Sequence, residues 1–374
     1  MTVSPRLVIL DSSHLGQWFA DRASDHAAER ARATAFEARM EAGGYVPLLC
    51  WHHFEELLQH ENTLTSKRRV RALHSLPRLA WLATVGEDAL GSIVDLLAAE
   101  AGVAYYHQAA SPADIVAVAR PLLLRVGRPR DFLGDNALKW LAFQPLFKER
   151  EARAREIVAI KRSNFVDLSK TKVIDLMRGG IASEEERKQR FVDLTAKLAT
   201  SVAATGDKRI PNANSVANTF IAEVAQMVET LPGNAAELVL ETLFSRGVTP
   251  ADLTPDATVG AMNDLATFRM ELKVVSKKLD IAWRDLNARV SMDRVPSTIV
   301  AHALDRHGPE LPEYKGSELN DEYLLRLGLY ADRTYVDKRT LEGLRRAKAK
   351  VPILKDLLPD VRRAANYSEM TFEH

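Results

Sequence analysis

The chain has 374 residues, enough for one large domain or two ordinary ones, and 46% of them are hydrophobic, which excludes extensive disorder. The net charge of +1 excludes a globally basic nucleic-acid binder and leaves only local basic patches. The one cysteine, Cys50, cannot form an intramolecular disulfide and fits a reducing compartment. Because the sequence shows neither a signal-peptide pattern nor an apolar run near the roughly 18–20 residues that span a bilayer, we expect a cytoplasmic protein with no membrane partner.

The first 110 residues predict strands alternating with helices. Residues 6–11 are a compact apolar run typical of a buried strand, and residues 12–42 predict a helix that ends at Gly43-Gly44. The order β-α-β-α-β predicts a mostly parallel sheet with helices on its faces. The other predicted elements are a strand at Tyr45–Cys50, helices at Trp51–Asn62 and 77–101, and a third strand at Gly102–Tyr106.

From residue 111 to about residue 309 the sequence predicts helices only. One stretch there is unusually regular, because its apolar residues alternate steps of three and four, as in a coiled-coil seam. This spacing predicts one continuous helix of some 26 residues, about 39 Å long. The residues of the seam are Leu265, Phe268, Leu272, Val275, Leu279, Ala282, Leu286 and Val290.

The alternation of strands and helices resumes in the last sixty residues. We therefore predict one α/β domain that is split in sequence into residues 1–110 and 311–374, with an all-helical insertion at 111–310. The predicted late elements are a helix at Asn320–Ala331 with Asn320 as its N-cap, a strand at Arg333–Asp337, a basic helix at Arg339–Lys350, a strand at Val351–Lys355 and a short helix at Asp356–Ala365.

Several carboxylates follow predicted strands or begin predicted helices. Asp11 comes directly after the first strand, where ligand sites of open parallel sheets lie, although a helix N-cap is an equally good interpretation. Asp321 opens a helix and Asp337 closes the next strand. Asp332 lies some 16 Å from Asp337, at the other end of the same strand at about 3.3 Å per residue, so we interpret it as structural. Clustered carboxylates repel one another unless a hard cation such as Mg²⁺ or Mn²⁺ lies among them, and such ions serve phosphodiester hydrolysis.

The helix after the second strand offers two glutamates, Glu55 and Glu56, and the helical pattern does not choose between them. The pair His52-His53 with Glu56 suggests zinc, but the His-Glu-x-x-His spacing is absent. Glu318 precedes Asp321 and either joins the cluster or faces water.

These residues resemble the motifs of the PIN-domain superfamily of metal-dependent nucleases. The resemblance covers residues 5–110 and 312–360 and leaves out the helical middle. It implies a three-layer α/β/α fold, one or two Mg²⁺ or Mn²⁺ ions, and usually RNA as the substrate. The matching segments are Ile9-Leu10-Asp11-Ser12, Glu56-Leu57, Asn320-Asp321-Glu322-Tyr323-Leu324 and Tyr335-Val336-Asp337-Lys338.

The resemblance also implies residue roles. The catalytic metal ligands are expected to be Asp11, Glu56, Asp321 and Asp337, with Glu55, Glu318 and Asp332 as additional candidates. Phosphate contacts are expected from Ser12, Ser13, Lys338 and Arg339. Two basic stretches either follow a nucleic-acid backbone or are solvated helix faces, namely Lys67-Arg68-Arg69 with Arg71, and Arg345-Arg346 with Lys348.

Other functions stay open or are excluded by motif. A dinucleotide-binding Gly-x-Gly-x-x-Gly and a P-loop are absent, and an aspartyl-nucleophile phosphatase would need Asp where Ser13 stands. An inactive PIN-like scaffold whose helical insertion binds a protein is the alternative to a nuclease. An inhibitory protein partner, a second copy of the chain, and the insertion acting as a lid are further hypotheses.

Overall fold

The computed structural model describes residues 5–163, 168–176, 184–229, 235–309, 313, 315 and 317–373. The chain divides into two compact units. The sheet unit comprises Met1–Arg150, Val275–Pro309 and Asn320–His374, and the helical unit comprises Glu151–Val274 and Glu310–Leu319. Residues 111–150 and 275–309, which the sequence assigns to the insertion, thus group with the sheet. The predicted boundary at 310/311 falls on residues outside the described ranges.

A six-stranded sheet forms the centre of the sheet unit, in the order β4-β3-β2-β1-β5-β6. Every neighbouring pair is parallel except β3 and β4. The prediction of a mixed α/β fold with a mostly parallel sheet is therefore confirmed. The strands are β1 (Arg6–Leu10), β2 (Tyr45–Leu49), β3 (Leu79–Leu82), β4 (Leu124–Gly127), β5 (Arg333–Val336) and β6 (Val361–Arg363).

The direction of winding reverses at β1. From β1 the chain builds outward through β2 to β3, and it later returns to the other side of β1 to add β5 and β6. The backbone N–H of Asp11 donates to the carbonyl of Tyr335 at 3.0 Å, so the pairing of β1 with β5 continues one residue beyond β1. In open parallel sheets, the carboxyl ends of two strands at such a reversal border a crevice where ligands bind.

The helices around the sheet and in the helical unit follow the chain. Up to residue 161 they are α1 (Ser12–Arg22), α2 (Ala27–Ala42), α3 (Trp51–Gln59), α4 (Thr63–His74), α5 (Ile93–Tyr106), α6 (Pro112–Leu123), α7 (Arg130–Leu133) and α8 (Gln144–Lys161). The later ones are α9 (Val173–Leu176), α10 (Glu184–Thr205), α11 (Ala213–Glu229), α12 (Ala235–Ser245), α13 (Val259–Leu279), α14 (Trp283–Arg289), α15 (Pro296–His307), α16 (Glu318–Gly328), α17 (Lys338–Lys350) and α18 (Leu354–Leu357). Short 3₁₀ helices occur at Ala137–Phe143, Pro250–Asp252 and Tyr367–Glu369.

Both faces of the sheet are covered. Val8 and Leu10 belong to a hydrophobic cluster with Trp18 of α1 and apolar residues of α2, α3 and α4. Leu7 and Ile9 point to the opposite face, because side chains alternate along a strand, and they are just as buried. Strands buried on both faces read as continuous apolar runs, which is why the sequence revealed β1 and β2.

The face opposite α1–α4 contains a buried carboxyl group. Glu100 on α5 is fully buried and accepts hydrogen bonds from the backbone N–H of Ser297, at 2.9 Å, and the hydroxyl of Tyr330, at 2.8 Å. Ser297 lies in the first turn of α15, where N–H groups have no partner inside the helix. Burial raises the pKa of Glu100 to about 7, although these hydrogen bonds oppose the shift.

Two predicted elements between residues 77 and 106 are wrong. Leu79–Leu82 is strand β3 and not part of a helix, and Gly102–Tyr106 is the end of helix α5 and not a strand. A run of four apolar residues has no period that separates a strand from a helix, so pairing with β2 decided β3. Ser92 caps α5 with Asp95 in a capping box, and the helix continues through the β-branched and aromatic residues at its end.

Two further predictions fail at the sheet edges. Residues 111–310 are not all helical, because β4 pairs antiparallel with β3. The predicted strand at Val351–Lys355 and helix at Asp356–Ala365 are replaced by α18 and the edge strand β6. The sequence of β6, Val361-Arg362-Arg363, is mostly charged, so no apolar pattern could reveal it.

Three helix predictions differ in their boundaries. The seam from Leu265 to Val290 is not one helix, because α13 ends at Leu279 and Asp280 has a left-handed φ of 53°. Residues 12–42 form α1 and α2 and not one helix. Asn320 is not an N-cap, since α16 begins at Glu318.

The helical unit has its own apolar clusters. One lies between α10 and α11 and includes Leu198, Val202 and Ala217. A second brings Leu243 of α12 together with Met262 of α13 and other residues. Among the described residues, no helix is long and apolar enough to cross a membrane.

Glu100 predicts a pH-dependent stability. Its pKa in the folded protein lies above the ordinary 4.5, so the folded state binds more protons between about pH 4.5 and 7, and the free energy of unfolding falls as pH rises through that window. As pH rises from 4.5 to 8, we expect the free energy of unfolding of Glu100→Gln to increase relative to that of wild type by up to about 3 kcal/mol, at about 1.36 kcal/mol per pKa unit. Urea unfolding across that range measures it. The exposed Glu87→Gln serves as the control, and an offset that is constant with pH would contradict the expectation.

Candidate carboxylate site

Two aspartates stand at the reversal point of the sheet. Asp11 follows β1 and Asp337 follows the neighbouring β5. Each caps the helix that begins there: Oδ1 of Asp11 accepts from the N–H of Ser13 at 2.7 Å, and Oδ1 of Asp337 accepts from the N–H of Thr340 at 2.6 Å. Within the described residues, Oδ2 of each accepts no hydrogen bond. Capping therefore leaves one oxygen of each carboxylate for another ligand.

Asp321 joins these two aspartates from helix α16. Burial raises the pKa of Asp321 to about 7, and repulsion from Asp11 and Asp337 adds to the rise. The guanidinium of Arg339 opposes it through an ion pair at 2.9 Å. The Asp321 side chain is 22% exposed. Three of the four predicted carboxylates thus share one electrostatic neighbourhood.

The fourth predicted carboxylate, Glu56, lies beside the same helix. Its Oε1 accepts a hydrogen bond of 2.6 Å from the Nδ2 of Asn320, the residue that precedes Asp321. Glu55 is buried and has other partners, because it pairs with Arg150 at 3.3 Å and lies 3.8 Å from Nδ1 of His52. This geometry favours Glu56 over Glu55 as the member of the site.

The other candidate carboxylates have separate partners. Glu318 belongs to the helical unit, where it pairs with Arg162 at 3.9 Å. Asp332 precedes β5, at the amino end of the strand, and accepts from the N–H of Leu7 at 2.7 Å and from Arg120 at 3.0 Å. Asp332 therefore holds two elements together at the edge opposite Asp337.

The predicted phosphate contacts lie on the first turns of α1 and α17. Ser13 is exposed, and its hydroxyl donates to Asp11 at 2.5 Å. Ser12 opens α1, and exposed Lys338 opens α17. Arg339 pairs with Asp321, as described. All four predicted residues are near the two aspartates in sequence, and Ser13 and Arg339 contact the carboxylates directly.

The site is bordered by an aromatic pair, which the sequence analysis did not predict. The imidazole of His52 stacks on the ring of Tyr323 with centroids 4.3 Å apart and planes 23° from parallel. Tyr323 follows Asp321 by two residues, and His52 is on α3 with Glu56. His53 is in the core, where burial lowers its pKa to about 3, so the two histidines do not form a zinc site. The stack joins residues 271 positions apart, which no local pattern could reveal.

The donor chemistry of the site fits a hard divalent cation. Its candidate ligands are carboxylate oxygens, which Mg²⁺ and Mn²⁺ prefer, and a cation would relieve the repulsion that Asp11 and Asp337 exert on Asp321. As the side chains stand, no group of three or more His, Cys, Asp or Glu in the described part of the chain is arranged to hold a metal ion. Arg339 supplies the positive charge at Asp321 instead.

Two cavities of the sheet unit lie away from this site. One, of about 590 Å³, is lined by the end of α1 and by α2 and α4, including Arg22, Arg30 and Arg71. The other, of about 640 Å³, is lined by residues around the amino end of β1 and β2. Neither includes a carboxylate of the site, so chemistry and not volume identifies the candidate site.

Comparison with family models, with curated proteins and with solved structures finds no match for this chain.

Asp321 provides a test of the crowding of charge. Because its folded pKa is raised above the ordinary 3.8, the folded state binds extra protons between about pH 4 and 7 and loses stability as pH rises through that window. In EDTA at pH 8 we expect Asp321→Asn to be more stable than wild type, by up to about 4 kcal/mol, with the gain vanishing near pH 4.

The matched variant is Asp332→Asn, at the other end of β5. It weakens the hydrogen bonds to Leu7 and Arg120 and should lose about 1 kcal/mol at pH 8. Chemical unfolding of both variants measures the two signs. Equal destabilisation by both substitutions would show that Asp321 is not under electrostatic strain.

Proposed function

We propose that this chain is a metal-dependent nuclease with a three-layer, PIN-like α/β/α domain, and that it hydrolyses phosphodiester bonds. One observation carries the proposal: Asp11, Asp337 and Asp321 come from three separate elements and interact electrostatically, and burial together with repulsion from the other two aspartates raises the pKa of Asp321 to about 7. Such an arrangement is costly for the fold alone and becomes favourable when a divalent cation neutralises it.

The order of the acidic residues supports the same proposal. Asp11 after β1, Glu56 in the helix after β2, Asp321 in the helix before β5 and Asp337 after β5 follow the order of the PIN motifs. RNA as the substrate, and Mg²⁺ or Mn²⁺ as the cofactor, come from that resemblance.

In the mechanism we propose, the four carboxylates hold the cation. A divalent ion bound there would activate water and stabilise negative charge on the phosphate. Asp321 would hold the cation as an ionised carboxylate, in the position that Arg339 occupies in its ion pair. The Asn320 amide orients Glu56 through its hydrogen bond. Arg339, released from Asp321, can then donate to phosphate oxygens, for which a guanidinium is well shaped.

A second candidate function is an inactive PIN-like scaffold whose helical unit binds a protein. The ion pair of Arg339 with Asp321 favours this scaffold function, because a guanidinium can occupy the place of a metal ion permanently. One measurement, metal-dependent cleavage, distinguishes the two candidate functions.

Cleavage of a labelled single-stranded RNA is the first test. We expect cutting with Mn²⁺ or Mg²⁺, no cutting in EDTA, and a loss of more than about 100-fold in Asp11→Asn, which exceeds the usual effect of residues outside the ligand shell. The exposed Asp135→Asn is the control. Absence of cutting, together with absence of any rise in melting temperature with Mn²⁺, would overturn the nuclease and leave the scaffold.

The adjacent glutamates give a second test. Glu56→Gln should lose metal-dependent cleavage, because Glu56 lies at Asn320 beside the cluster. Glu55→Gln should keep cleavage but lose about 1 kcal/mol of stability, because it weakens the ion pair of a buried carboxylate with Arg150. Cleavage rates and unfolding curves of both variants measure this. The reverse outcome, with Glu55 needed for cutting, would reject the assignment of Glu56.

A further inference from the structure

Arg69 of α4 packs against Gly16 in the middle of α1. A Cβ atom built on Gly16 would lie 2.9 Å from Cζ and from Nη2 of Arg69, and 3.3 Å from Nη1. Glycine inside a helix costs roughly 1 kcal/mol relative to alanine. The missing side chain is what allows the guanidinium to lie against the helix.

In the part of the chain that the structure describes, the guanidinium of Arg69 has no protein acceptor. Its Nε is buried without a hydrogen-bond partner, and within the described residues its side chain forms no ion pair. Neighbouring arginines differ: Arg68 pairs with Asp25 at 3.1 Å, and Arg22 pairs with Glu37. Burial lowers the pKa of Arg69, and no carboxylate of the described residues offsets this shift. A half-buried cation without acceptors is unfavourable, so an anion that supplies them is stabilised there.

The position of Arg69 connects it to the carboxylate site. Gly16 follows Asp11 by five residues, about 7.5 Å along the axis of α1 at about 1.5 Å per residue. Ser12, which opens α1, precedes Gly16 by four residues and therefore lies on the same face of the helix. Ser12 and Arg69 thus lie along one face of α1, and this face begins at the carboxylates. The positive end of the α1 dipole lies at that same end of the helix.

We propose that Arg69, seated on Gly16, binds a backbone phosphate of the substrate strand about one helical turn from the carboxylate site. This inference rests on the proposed nuclease function and deepens it, because it names a phosphate contact outside the carboxylate cluster. Arg69 is a positioning residue: it holds a phosphate next to the scissile one and takes no part in the reaction at phosphorus.

Three variants test the contact. Arg69→Gln removes the cation. Arg68→Gln removes the same charge one residue away, where the arginine is 47% exposed and paired with an 88% exposed aspartate. Gly16→Ala keeps every charge but pushes the guanidinium tip off α1, and it should fold well, because alanine favours the helix and the displaced group is the end of a flexible side chain.

The probe is a labelled single-stranded RNA, with its dissociation constant measured by anisotropy in EDTA over a series of salt concentrations. We expect Arg69→Gln and Gly16→Ala to weaken binding about tenfold. For Arg69→Gln, the slope of the logarithm of the binding constant against the logarithm of the salt concentration should become shallower by about 0.7. This is the value for one phosphate contact to a single strand. Arg68→Gln should change binding less than about twofold, as expected for an exposed pair. With Mn²⁺, KM should rise in Arg69→Gln while kcat stays unchanged, as expected when uniform binding is lost.

The outcomes separate this inference from the proposed function. If wild type cuts RNA and Asp11→Asn does not, but Arg69→Gln behaves like Arg68→Gln, only the phosphate contact is overturned. Unchanged binding by folded Gly16→Ala would overturn the seating of Arg69 on α1. If wild type neither binds nor cuts RNA, both the nuclease and the contact are overturned.

Discussion

Crowding of negative charge at the reversal point of the sheet is the constraint on which the site depends. Parallel pairing of β1 with β5 brings their carboxyl ends to one edge, and the residue that follows each strand is an aspartate, Asp11 or Asp337. Asp321 adds a third carboxylate that is mostly buried. Repulsion among such groups has few remedies in a protein, namely protonation, hydrogen-bond donors or a positive charge.

The structure uses each of these remedies in part. One N–H group in the first turn of α1 donates to Asp11 and one in the first turn of α17 donates to Asp337, and Arg339 pairs with Asp321. Even so, burial, with repulsion from Asp11 and Asp337, raises the pKa of Asp321 to about 7, so Arg339 compensates these effects only in part. The opposite end of β5 differs, because the carboxylate of Asp332 has both a backbone N–H and an arginine. The same strand thus has a satisfied carboxylate at one end and a strained cluster at the other.

The sheet can keep these carboxylates close together because its strands are buried on both faces. The buried side chains of β1, with Trp18 and its neighbours on one face, fix the strand from which Asp11 follows. On the other face the buried carboxyl of Glu100 accepts the backbone N–H of Ser297 in the first turn of α15, so a second polar group is also held in the packed interior. A positively charged group is also incompletely compensated: Arg69 is half-buried against Gly16, and its Nε has no hydrogen-bond partner among the described residues. α1 thus begins at a carboxylate that lies among other carboxylates and carries a half-buried guanidinium against its fifth residue.

The sequence by itself determined the features that depend on local pattern. Continuous apolar runs identified β1 and β2, and the alternation of strands with helices identified a mostly parallel sheet. The rule that ligand sites follow the carboxyl ends of such strands singled out Asp11 and Asp337. The helical pattern did not choose between Glu55, which borders the apolar face of α3, and Glu56, which points further away from it.

Only the tertiary structure decided the features that depend on pairing between distant residues. β3 was hidden in a short apolar run and β6 in a charged one, because hydrogen bonds to a neighbouring strand, not period or propensity, make them strands. The ion pair of Arg339 with Asp321, the hydrogen bond of Asn320 to Glu56 and the seating of Arg69 on Gly16 likewise have no local signal. The sequence determines where charge is available along the chain, and the fold decides which charges are left uncompensated, because compensation depends on which distant groups are brought within contact.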